Sequence, residues 1–313
     1  MSTASTTSTV QSVDTATRPV AWPVDRPRLS AYIELAKPRI SVMVLITVSV
    51  GYAVGARGQW DLVPLLHALL GIGLVATASG CLNQLIERRT DARMLRTADR
   101  PLPSGRLTPS EVLLFATFCG VFGTLWLVTF VNLLTALLTA ATLLMYVFAY
   151  TPLKRHTSLC TAIGAIPGAL PPVLGWTAAG GSLDTGAFAL FAILFLWQFP
   201  HFLAIAWLYR EQYGMAGLKM LPARSEKTPI VGLLAAGYAL ALIPVSFLPR
   251  VIGLAGDSYL FMAVLLGAVY AAAAIRFLRD RSVRTARGVL WASLVYLPSL
   301  WLTLTLDHVR MLQ

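Results

Sequence analysis

Three side chains that carry oxygen donors recur at four-residue spacing near the end of a long apolar run. They are Asn83, Glu87 and Asp91. On one continuous α-helix this spacing places all three on the same face, along about 12 Å of the helix axis. Proteins typically hold Mg²⁺ with one or two carboxylates, and water and substrate phosphate complete its shell. The spacing therefore predicts a helix face that holds Mg²⁺ together with a phosphorylated substrate.

Arg96 and Arg100 repeat the four-residue spacing just beyond these acids. Guanidinium groups bind phosphate oxygens through a planar fork of donors, so the pattern favours an anion that a metal bridges and arginines hold. The alternative is a solvated helix end with ordinary acid–arginine pairs. The position of Asn83 argues against this alternative, because it lies inside the apolar run, where polar groups are costly and usually functional.

Tyr150, Lys154 and Arg155 follow a later apolar run and are candidate substrate-binding residues. The alternative is that they are interfacial residues that only fix the topology. The next run contains small and helix-breaking residues from Gly164 to Pro172. Irregular backbone at membrane depth is tolerated where it lines a cavity or is buried in protein. The segment therefore favours a cavity beside these residues.

Gln198, His201 and Glu211 are the remaining candidates for substrate binding. His201 lies about 12 Å inside the predicted membrane exit, where an ionisable group indicates function. A histidine that only packs and hydrogen-bonds is the alternative, and Glu211 alone could equally be an ordinary loop acid. A last connection carries five arginines from Arg276 to Arg287 and favours contact with anionic lipid headgroups.

Membrane-spanning helices are the elements that must position these residues. The chain is 57% hydrophobic and 12% charged, whereas soluble domains are about 25% charged. A transmembrane helix needs roughly 20 mainly apolar residues, and the chain offers nine such runs. The runs are Ile40 to Ala56, Pro64 to Ile86, Val112 to Phe130, Leu133 to Tyr150, Cys160 to Ala178, Ala187 to Leu208, Pro229 to Phe247, Ser258 to Ile275, and Val289 to Leu306.

The distribution of basic residues predicts the orientation. With a cytoplasmic amino terminus, 22 of the 25 lysines and arginines fall on the inner side and leave Arg57, Arg250 and Arg310 outside. Topology thus explains the net charge of +11 without a nucleic-acid partner. Residues 1–25 are rich in Ser and Thr and are predicted to be a disordered tail before a transmembrane domain of residues 26–313. They resemble neither a secretory signal nor a transit peptide, which favours a bacterial plasma membrane.

Several segments together resemble the intramembrane aromatic prenyltransferase superfamily. These segments occur in the same order as in the superfamily, and they are most similar to the branch that transfers a farnesyl group to haem. The matching segments are Asn83-x3-Glu87-x3-Asp91-x2-Met94-x-Arg96-Thr97-x2-Arg100-Pro101-Leu102, Tyr150-Thr-Pro-Leu-Lys154-Arg155-x-Thr157, Pro171-Pro172-x2-Gly175-Trp176, Trp197-Gln198-x-Pro200-His201-Phe202 and Ala216-Gly217-x2-Met220-Leu221-Pro222.

This resemblance implies an all-α polytopic fold of nine transmembrane helices around a central cavity. It implies transfer of a farnesyl group from farnesyl diphosphate to a vinyl group of haem B, with addition of water, giving haem O and diphosphate. Mg²⁺ would bind Asn83, Glu87 and Asp91, and the diphosphate would also contact the nearby arginines and lysine. His201 is assigned to the haem, through its iron or a propionate. Contact with proteins that deliver haem or accept it for oxidase assembly is also implied.

One segment departs from the superfamily pattern. Many members that prenylate phenols carry a second cluster of aspartates, which is reduced here to Arg210-Glu211-Gln212-Tyr213. The departure weakens the case for a second metal near Glu211 and for a quinone-pathway enzyme. Two alternatives stay open: a prenyltransferase for another aromatic acceptor, quinone or chlorophyll-like, and a membrane protein that binds or transports haem without catalysis.

Overall fold

The computed structural model describes residues 27–154, 156–215, 217 and 229–313, and the regular elements in this part of the chain are all helical. The predicted tail, residues 1–25, and Arg155 lie outside the described residues. The helices are α1 (Arg28–Leu35), α2 (Pro38–Gly55), α3 (Leu62–Asp91), α4 (Pro109–Phe130), α5 (Leu133–Leu144) with a π-helical continuation (Met145–Tyr150), α6 (Thr151–Leu153), α7 (Cys160–Ala169), α8 (Pro171–Ala178), α9 (Thr185–Leu208), α10 (Arg210–Met215), α11 (Ile230–Val245), α12 (Leu248–Val251), α13 (Asp257–Arg279) and α14 (Val283–Leu312).

Eight of the nine predicted runs coincide with helices that are long and apolar enough to cross a membrane. Many large apolar side chains on these helices are exposed, which suits contact with lipid and not with water. The largest buried cluster lies among α9, α11, α13 and α14. The protein is therefore an all-helical, multi-pass membrane protein. The count of nine crossings and the cytoplasmic amino terminus stay predictions.

The remaining run, Cys160 to Ala178, forms two short helices that meet at Leu170. Pro171 and Pro172 begin α8, and neither has a backbone N–H to continue the hydrogen-bond ladder of α7. The prolines thus explain the break that the sequence predicted in this region. Taken separately, α7 and α8 have 10 and 8 residues and are too short to cross the hydrocarbon.

Two glycines let α2 and α8 pack backbone against backbone. A Cβ added at Gly51 would lie 1.9 Å from the carbonyl oxygen of Pro172, and one added at Gly175 would lie 1.9 Å from that of Val48. No side chain can occupy either position at this helix separation. The contact fixes α8, and through it the broken segment, against α2.

One end of the bundle carries the loops that were predicted to lie outside. A Cβ added at Gly58, next to Arg57, would lie 3.4 Å from Leu312 Cδ1, near the end of α14. His308 Nδ1 is 2.7 Å from the carbonyl oxygen of Leu254, in the loop after α12. Arg57, Arg250 and Arg310 therefore share one end of the bundle. This arrangement agrees with the charge distribution that predicted the topology.

At the same end, Asp307 of α14 caps the start of α13. Its Oδ2 accepts hydrogen bonds from the backbone N–H groups of Gly256 at 2.7 Å and Tyr259 at 3.0 Å. A carboxylate at a helix amino terminus pairs with otherwise unsatisfied donors and with the helix dipole. Asp307 is thus a buried charge that joins two helices.

At the opposite end, the connection between α3 and α4 is packed and not a solvated loop. Arg106 forms an ion pair of 2.7 Å with Glu34 of α1 and donates to the backbone oxygen of Asp99. Leu102 and Leu107 are buried against α1 and α4. Because α1 covers this connection, the residues between 92 and 107 are held in a defined position beside the end of α3.

Candidate active site

The acidic face of α3 points into the protein. Helix α3 extends to Asp91, so the predicted single helix face for Asn83, Glu87 and Asp91 is present. The exposed fractions of Asn83 and Asp91 are 3% and 1%, and the side chain of Glu87 is 12% exposed. Asn83 Nδ2 donates to Glu87 Oε2 at 3.0 Å. These groups are therefore held in the protein interior, at the end of the bundle opposite Arg57, Arg250 and Arg310, and do not splay into solvent.

Lys154 and Thr151 reach this face from the end of the fourth span. Lys154 Nζ lies 2.9 Å from Glu87 Oε1 and 3.4 Å from Asn83 Oδ1. Thr151 Oγ1 donates to Asn83 Oδ1 at 3.1 Å. These contacts bring Lys154 to the acids of α3 from a distant part of the sequence. The role of Lys154 in substrate binding stays a prediction. Thr151 was not predicted, because a threonine between apolar residues carries no signal of its own.

A π-helical segment, Met145–Tyr150, sets the direction of these side chains. Such insertions are frequent at functional sites, and the extra residue changes the direction of the side chains that follow. The ammonium group of Lys154 lies 4.2 Å above the centre of the Tyr150 ring. Gly164 of α7 leaves room for that ring, since a Cβ there would lie 2.4 Å from Tyr150 Cδ2. The ring thus supports a cation at the site.

Arg100 pairs with the last acid of α3. Its Nη1 lies 2.6 Å from Asp91 Oδ2, and the backbone oxygen of Asp91 accepts a hydrogen bond of 2.8 Å from Thr97 Oγ1. The chain between Asp91 and Arg100 is a series of turns and not a continued helix. The guanidinium nevertheless returns to the acid face, because Thr97 closes the turn against the helix end.

Lys37 is a further positive group at the site and was not predicted. Burial, followed by the positive charges of Arg100 and Lys154, lowers the pKa of Lys37 to about 8, while the carboxylates of Glu87 and Asp91 act in the opposite direction. All five charges therefore share one neighbourhood. Lys37 adopts φ = 50° just before α2. In the sequence it looked like an ordinary basic residue before a span, and only the fold brings it to α3.

The donor set fits Mg²⁺ bound together with a diphosphate. Among the described residues, no three His, Cys, Asp or Glu side chains group to hold a metal by themselves. Glu87 and Asp91 offer two carboxylates and Asn83 an amide oxygen on the same face. That is the protein share typical of Mg²⁺ sites, which leave the remaining positions to water and substrate phosphate.

Arg96 and Glu211 have other surroundings. The Arg96 guanidinium lies 4.7 Å from the centre of the Tyr209 ring and donates to the Tyr213 hydroxyl at 3.3 Å. Glu211 is exposed and lies 3.8 Å from its neighbour Arg210. Arg96 therefore packs on the end of α9 and on α10, and the structure does not bring Glu211 to the acids of α3. Their assignment to substrate binding stays a prediction.

Gln198 is buried and bridges α9 to α7. Its Nε2 donates to the backbone oxygens of Ala165 at 2.8 Å and Leu194 at 3.3 Å. Gly168 accommodates the side-chain oxygen, because a Cβ there would lie 2.5 Å from Gln198 Oε1. These contacts give Gln198 a structural function beside the broken span. A role in substrate binding stays a prediction.

His201 packs between α9 and α14. Its Nδ1 lies 2.8 Å from Ser293 Oγ, and its ring stacks on Trp197 at 4.9 Å. The Ser293 hydroxyl itself donates to the backbone oxygen of Leu290 at 2.6 Å. A Ser293 hydroxyl that donates to Leu290 can accept from Nδ1, and in that tautomer the Nε2 lone pair of His201 is available to an electrophile or a metal ion.

The fold and this charged site define a class of protein. The sequence matches the model of the UbiA prenyltransferase family over residues 44–302. The chain belongs to the UbiA prenyltransferase family.

The similarity is more specific at the level of individual relatives. The chain is 45% identical to a protoheme IX farnesyltransferase of Solibacter usitatus over 286 residues, which cover 88% of this chain and 98% of that protein. It is 42% identical to a protoheme IX farnesyltransferase of Koribacter versatilis over 311 residues, covering 93% and 98%. A protoheme IX farnesyltransferase of Aquifex aeolicus is 37% identical, covering 90% and 96%.

Solved structures support the fold. The chain resembles a structure of digeranylgeranylglyceryl phosphate synthase with a TM-score of 0.77 and 18% identity, covering 90% of this chain and 99% of that one. It also resembles a UbiA homolog from Archaeoglobus fulgidus bound to GPP and Mg²⁺, with a TM-score of 0.64 and 16% identity, over 90% and 99% of the two chains. The helical arrangement is therefore that of known UbiA proteins.

Proposed function

We propose that this protein transfers a farnesyl group from farnesyl diphosphate to a vinyl group of haem B. The site at the end of α3 is the single observation that carries the diphosphate half of this proposal. Glu87, Asp91, Arg100, Lys154 and Lys37 are placed together there in a largely buried position. The similarity to protoheme IX farnesyltransferases over nearly the whole chain supports haem as the acceptor.

The long side chains of Lys154 and Arg100 can bind either the acids of α3 or a diphosphate that leaves the farnesyl group. Lys154 and Arg100 now neutralise Glu87 and Asp91. Asn83, Glu87 and Asp91 would hold Mg²⁺, which would supply positive charge beside the diphosphate of the substrate. Lys154 and Arg100 can then turn from the acids to the substrate, because their side chains are long and their former partners are neutralised. Lys37 adds a third cation to the same anion.

The reaction balances without a redox partner. The bond between farnesyl C1 and the diphosphate oxygen breaks, and the electron pair leaves with diphosphate. The terminal vinyl carbon of haem bonds to C1, and the positive charge moves to the adjacent carbon beside the porphyrin ring. Water adds to this carbon and loses a proton, which gives a hydroxyalkyl group. Cations placed around the departing oxygens lower the barrier of the first step.

The haem half of the proposal rests on His201. Its Nε2 can ligate the haem iron in the tautomer whose Nδ1 proton Ser293 accepts, which is the arrangement usual for metal-binding histidines. Trp197, stacked on the imidazole, restricts its rotation. We expect His201→Ala to change the haem absorption spectrum, whereas Ser293→Ala should shift it less and keep binding. An unchanged spectrum in His201→Ala with normal turnover would remove the residue from the haem site.

The direct experiment uses the purified full chain in detergent with haem B, farnesyl diphosphate and Mg²⁺. Mass spectrometry should detect haem that has gained one farnesyl group and one hydroxyl group. The product should disappear on chelation of Mg²⁺ and return when Mg²⁺ is restored. Haem that binds normally but is never alkylated would favour a haem-binding protein without catalysis. Alkylation of a quinone precursor, with haem left unmodified, would favour a different aromatic acceptor.

The proposal also includes location and partners. We place the site at the cytoplasmic face of a bacterial plasma membrane, in contact with proteins that deliver haem or accept it for oxidase assembly. Single cysteines at Ser104, at the same end as the acids, and at the exposed Gln59, at the other end, test the orientation. An impermeant thiol reagent added to intact cells should label the Gln59 variant and spare the Ser104 variant. Labelling of Ser104 alone would reverse the topology.

A further inference from the structure

A second charged feature lies at the inner end of the bundle, away from the acids of α3. It is a cleft of about 490 Å³ between the end of α9 and the turn that joins α13 to α14. Arg210, Arg279 and Arg281 line it, and Asp280 is its one acidic lining residue. The lining thus carries three positive charges against one negative charge. That balance favours an anionic ligand.

The cleft shares no lining residue with the proposed diphosphate site. Arg96, from the connection after α3, packs on Tyr209 at the end of α9. The cleft is instead lined by Trp207 and Arg210, whose guanidinium stacks on the Trp207 ring at 5.0 Å. Trp207 also meets Phe277 of α13 edge to face at 5.6 Å, which joins the two walls. The cleft therefore belongs to the α9–α13–α14 side of the bundle.

Its lining leaves donors available for oxygen ligands. Within the described part of the chain, neither Arg279 nor Arg281 has an acidic group within salt-bridge distance. Asp280 is occupied by the Ser282 hydroxyl at 2.9 Å. The cleft thus offers two guanidinium forks, and each can donate a pair of hydrogen bonds to phosphate oxygens.

The surroundings indicate that the phosphate belongs to a lipid. Helix α13 ends at Arg279 and α14 begins at Val283, so the cleft lies where two candidate spans leave the apolar layer. Gly232 packs on Leu278 beside Arg279, and the next residue, Leu233, is 60% exposed. An apolar surface for acyl chains therefore runs directly below a basic pocket for a headgroup.

We propose that this cleft is a specific binding site for the headgroup phosphate of an anionic phospholipid. The phosphate lies between Arg279 and Arg281, and the acyl chains follow the exposed side of α11. Arg210, already held against Trp207, closes the side of the pocket nearest α9. The site does not depend on farnesyl transfer and is tested apart from it.

The test measures lipid binding to the full chain in detergent by native mass spectrometry, with phosphatidylglycerol as the probe. Arg279→Gln/Arg281→Gln is compared with the matched control Arg284→Gln/Arg287→Gln, which removes the same charge from the same connection outside the cleft. We expect phosphatidylglycerol to bind the cleft variant about 30-fold more weakly, since each arginine near an anionic headgroup contributes about a factor of five. The control should bind like the wild type.

Four results would overturn the proposal. Equal losses in both variants would show diffuse attraction to basic residues, and no loss in either would place the lipid elsewhere. Equal binding of phosphatidylcholine would show that charge is not recognised. Inorganic phosphate is the last probe: if it binds the cleft in lipid-free detergent while phosphatidylglycerol does not, the site takes a soluble anion. Thermal unfolding of both variants, expected to match the wild type, guards against loss of fold.

Discussion

The two ends of the bundle both bury an aspartate, and they treat it differently. Asp307, 6% exposed, accepts two backbone N–H groups at the start of α13. Asp91, 1% exposed, is paired with the long side chain of Arg100. Backbone donors cannot leave without unfolding a helix end, whereas a guanidinium can turn to another anion. Burial alone therefore does not distinguish a functional acid from a structural one. The difference between Asp91 and Asp307 is that the Arg100 side chain could turn to a substrate, whereas backbone N–H groups could not.

Substitution of Asp91 should have the largest effect on the farnesyl transfer rate. Asp91→Asn keeps the size of the side chain but removes the charge that faces Arg100 and the proposed Mg²⁺. We expect the farnesyl transfer rate to fall by at least about 100-fold, the loss typical when one electrostatic contact in a transition state is removed. Mass spectrometry of the haem product gives the rate, and the haem spectrum checks the fold. A rate within threefold of wild type, with haem bound, would contradict the assignment.

Lys154 gives the next largest effect. Lys154→Gln removes the ammonium group that now lies 2.9 Å from Glu87. Loss of a hydrogen bond to a charged group costs about 1.5–3 kcal/mol, so the rate should fall about 10- to 100-fold. Lys154→Arg is the matched control, since it keeps the charge and should recover most of the rate. Equal loss in the two variants would mean that shape and not charge matters at this position.

Asp307 should show the opposite behaviour. Asp307→Ala leaves two backbone N–H groups of α13 without their acceptor, which should cost about 2 kcal/mol of stability, as for the loss of a helix cap. The midpoint of thermal unfolding in detergent should fall, while the rate per folded molecule stays unchanged. If turnover instead falls with no change in the midpoint, the contrast between the two aspartates is wrong.

The smallest effect is a pH dependence at Lys37. Its pKa of about 8 means that it loses its charge as the pH rises through 8. The apparent KM for farnesyl diphosphate should then increase about fivefold between pH 7 and 9, the value of one charge contact in water. Lys37→Gln should have the higher KM throughout and show no such change.

The stability of the protein moves in the other direction over this range. Because the folded chain binds fewer protons at Lys37 than the unfolded chain above pH 8, this residue makes folding more favourable as the pH rises towards the usual lysine value. Unfolding midpoints measured at the same pH values therefore separate the two effects. A KM that stays constant with pH in the wild type would remove Lys37 from the diphosphate site.

Local sequence patterns predicted the helix face of α3, the membrane spans and the broken span. The spacing of Asn83, Glu87 and Asp91 predicted one helix face, and the structure shows it. The apolar runs predicted the spans, and the prolines at 171 and 172 marked the broken one. Such features depend only on neighbours within a few turns. The family resemblance, carried by ordered motifs, was confirmed over most of the chain.

Contacts between distant segments were not readable in the same way. Lys37 and Thr151 reach α3 from other helices, and neither stands out from its own surroundings. Arg96 was predicted to join Arg100, but the helix ends at Asp91 and the turns after it send the two arginines to different partners. Spacing beyond the end of a helix thus carries no information about direction.

The close backbone contacts at Gly51 and Gly175, with Pro172 and Val48, have a consequence for biosynthesis. Helix α2 is synthesised before α3 to α7, but the surface that fits its glycine face belongs to α8, which is made after them. This interface therefore cannot form until α3 to α8 have been made, and the bundle does not assemble helix by helix in order of synthesis.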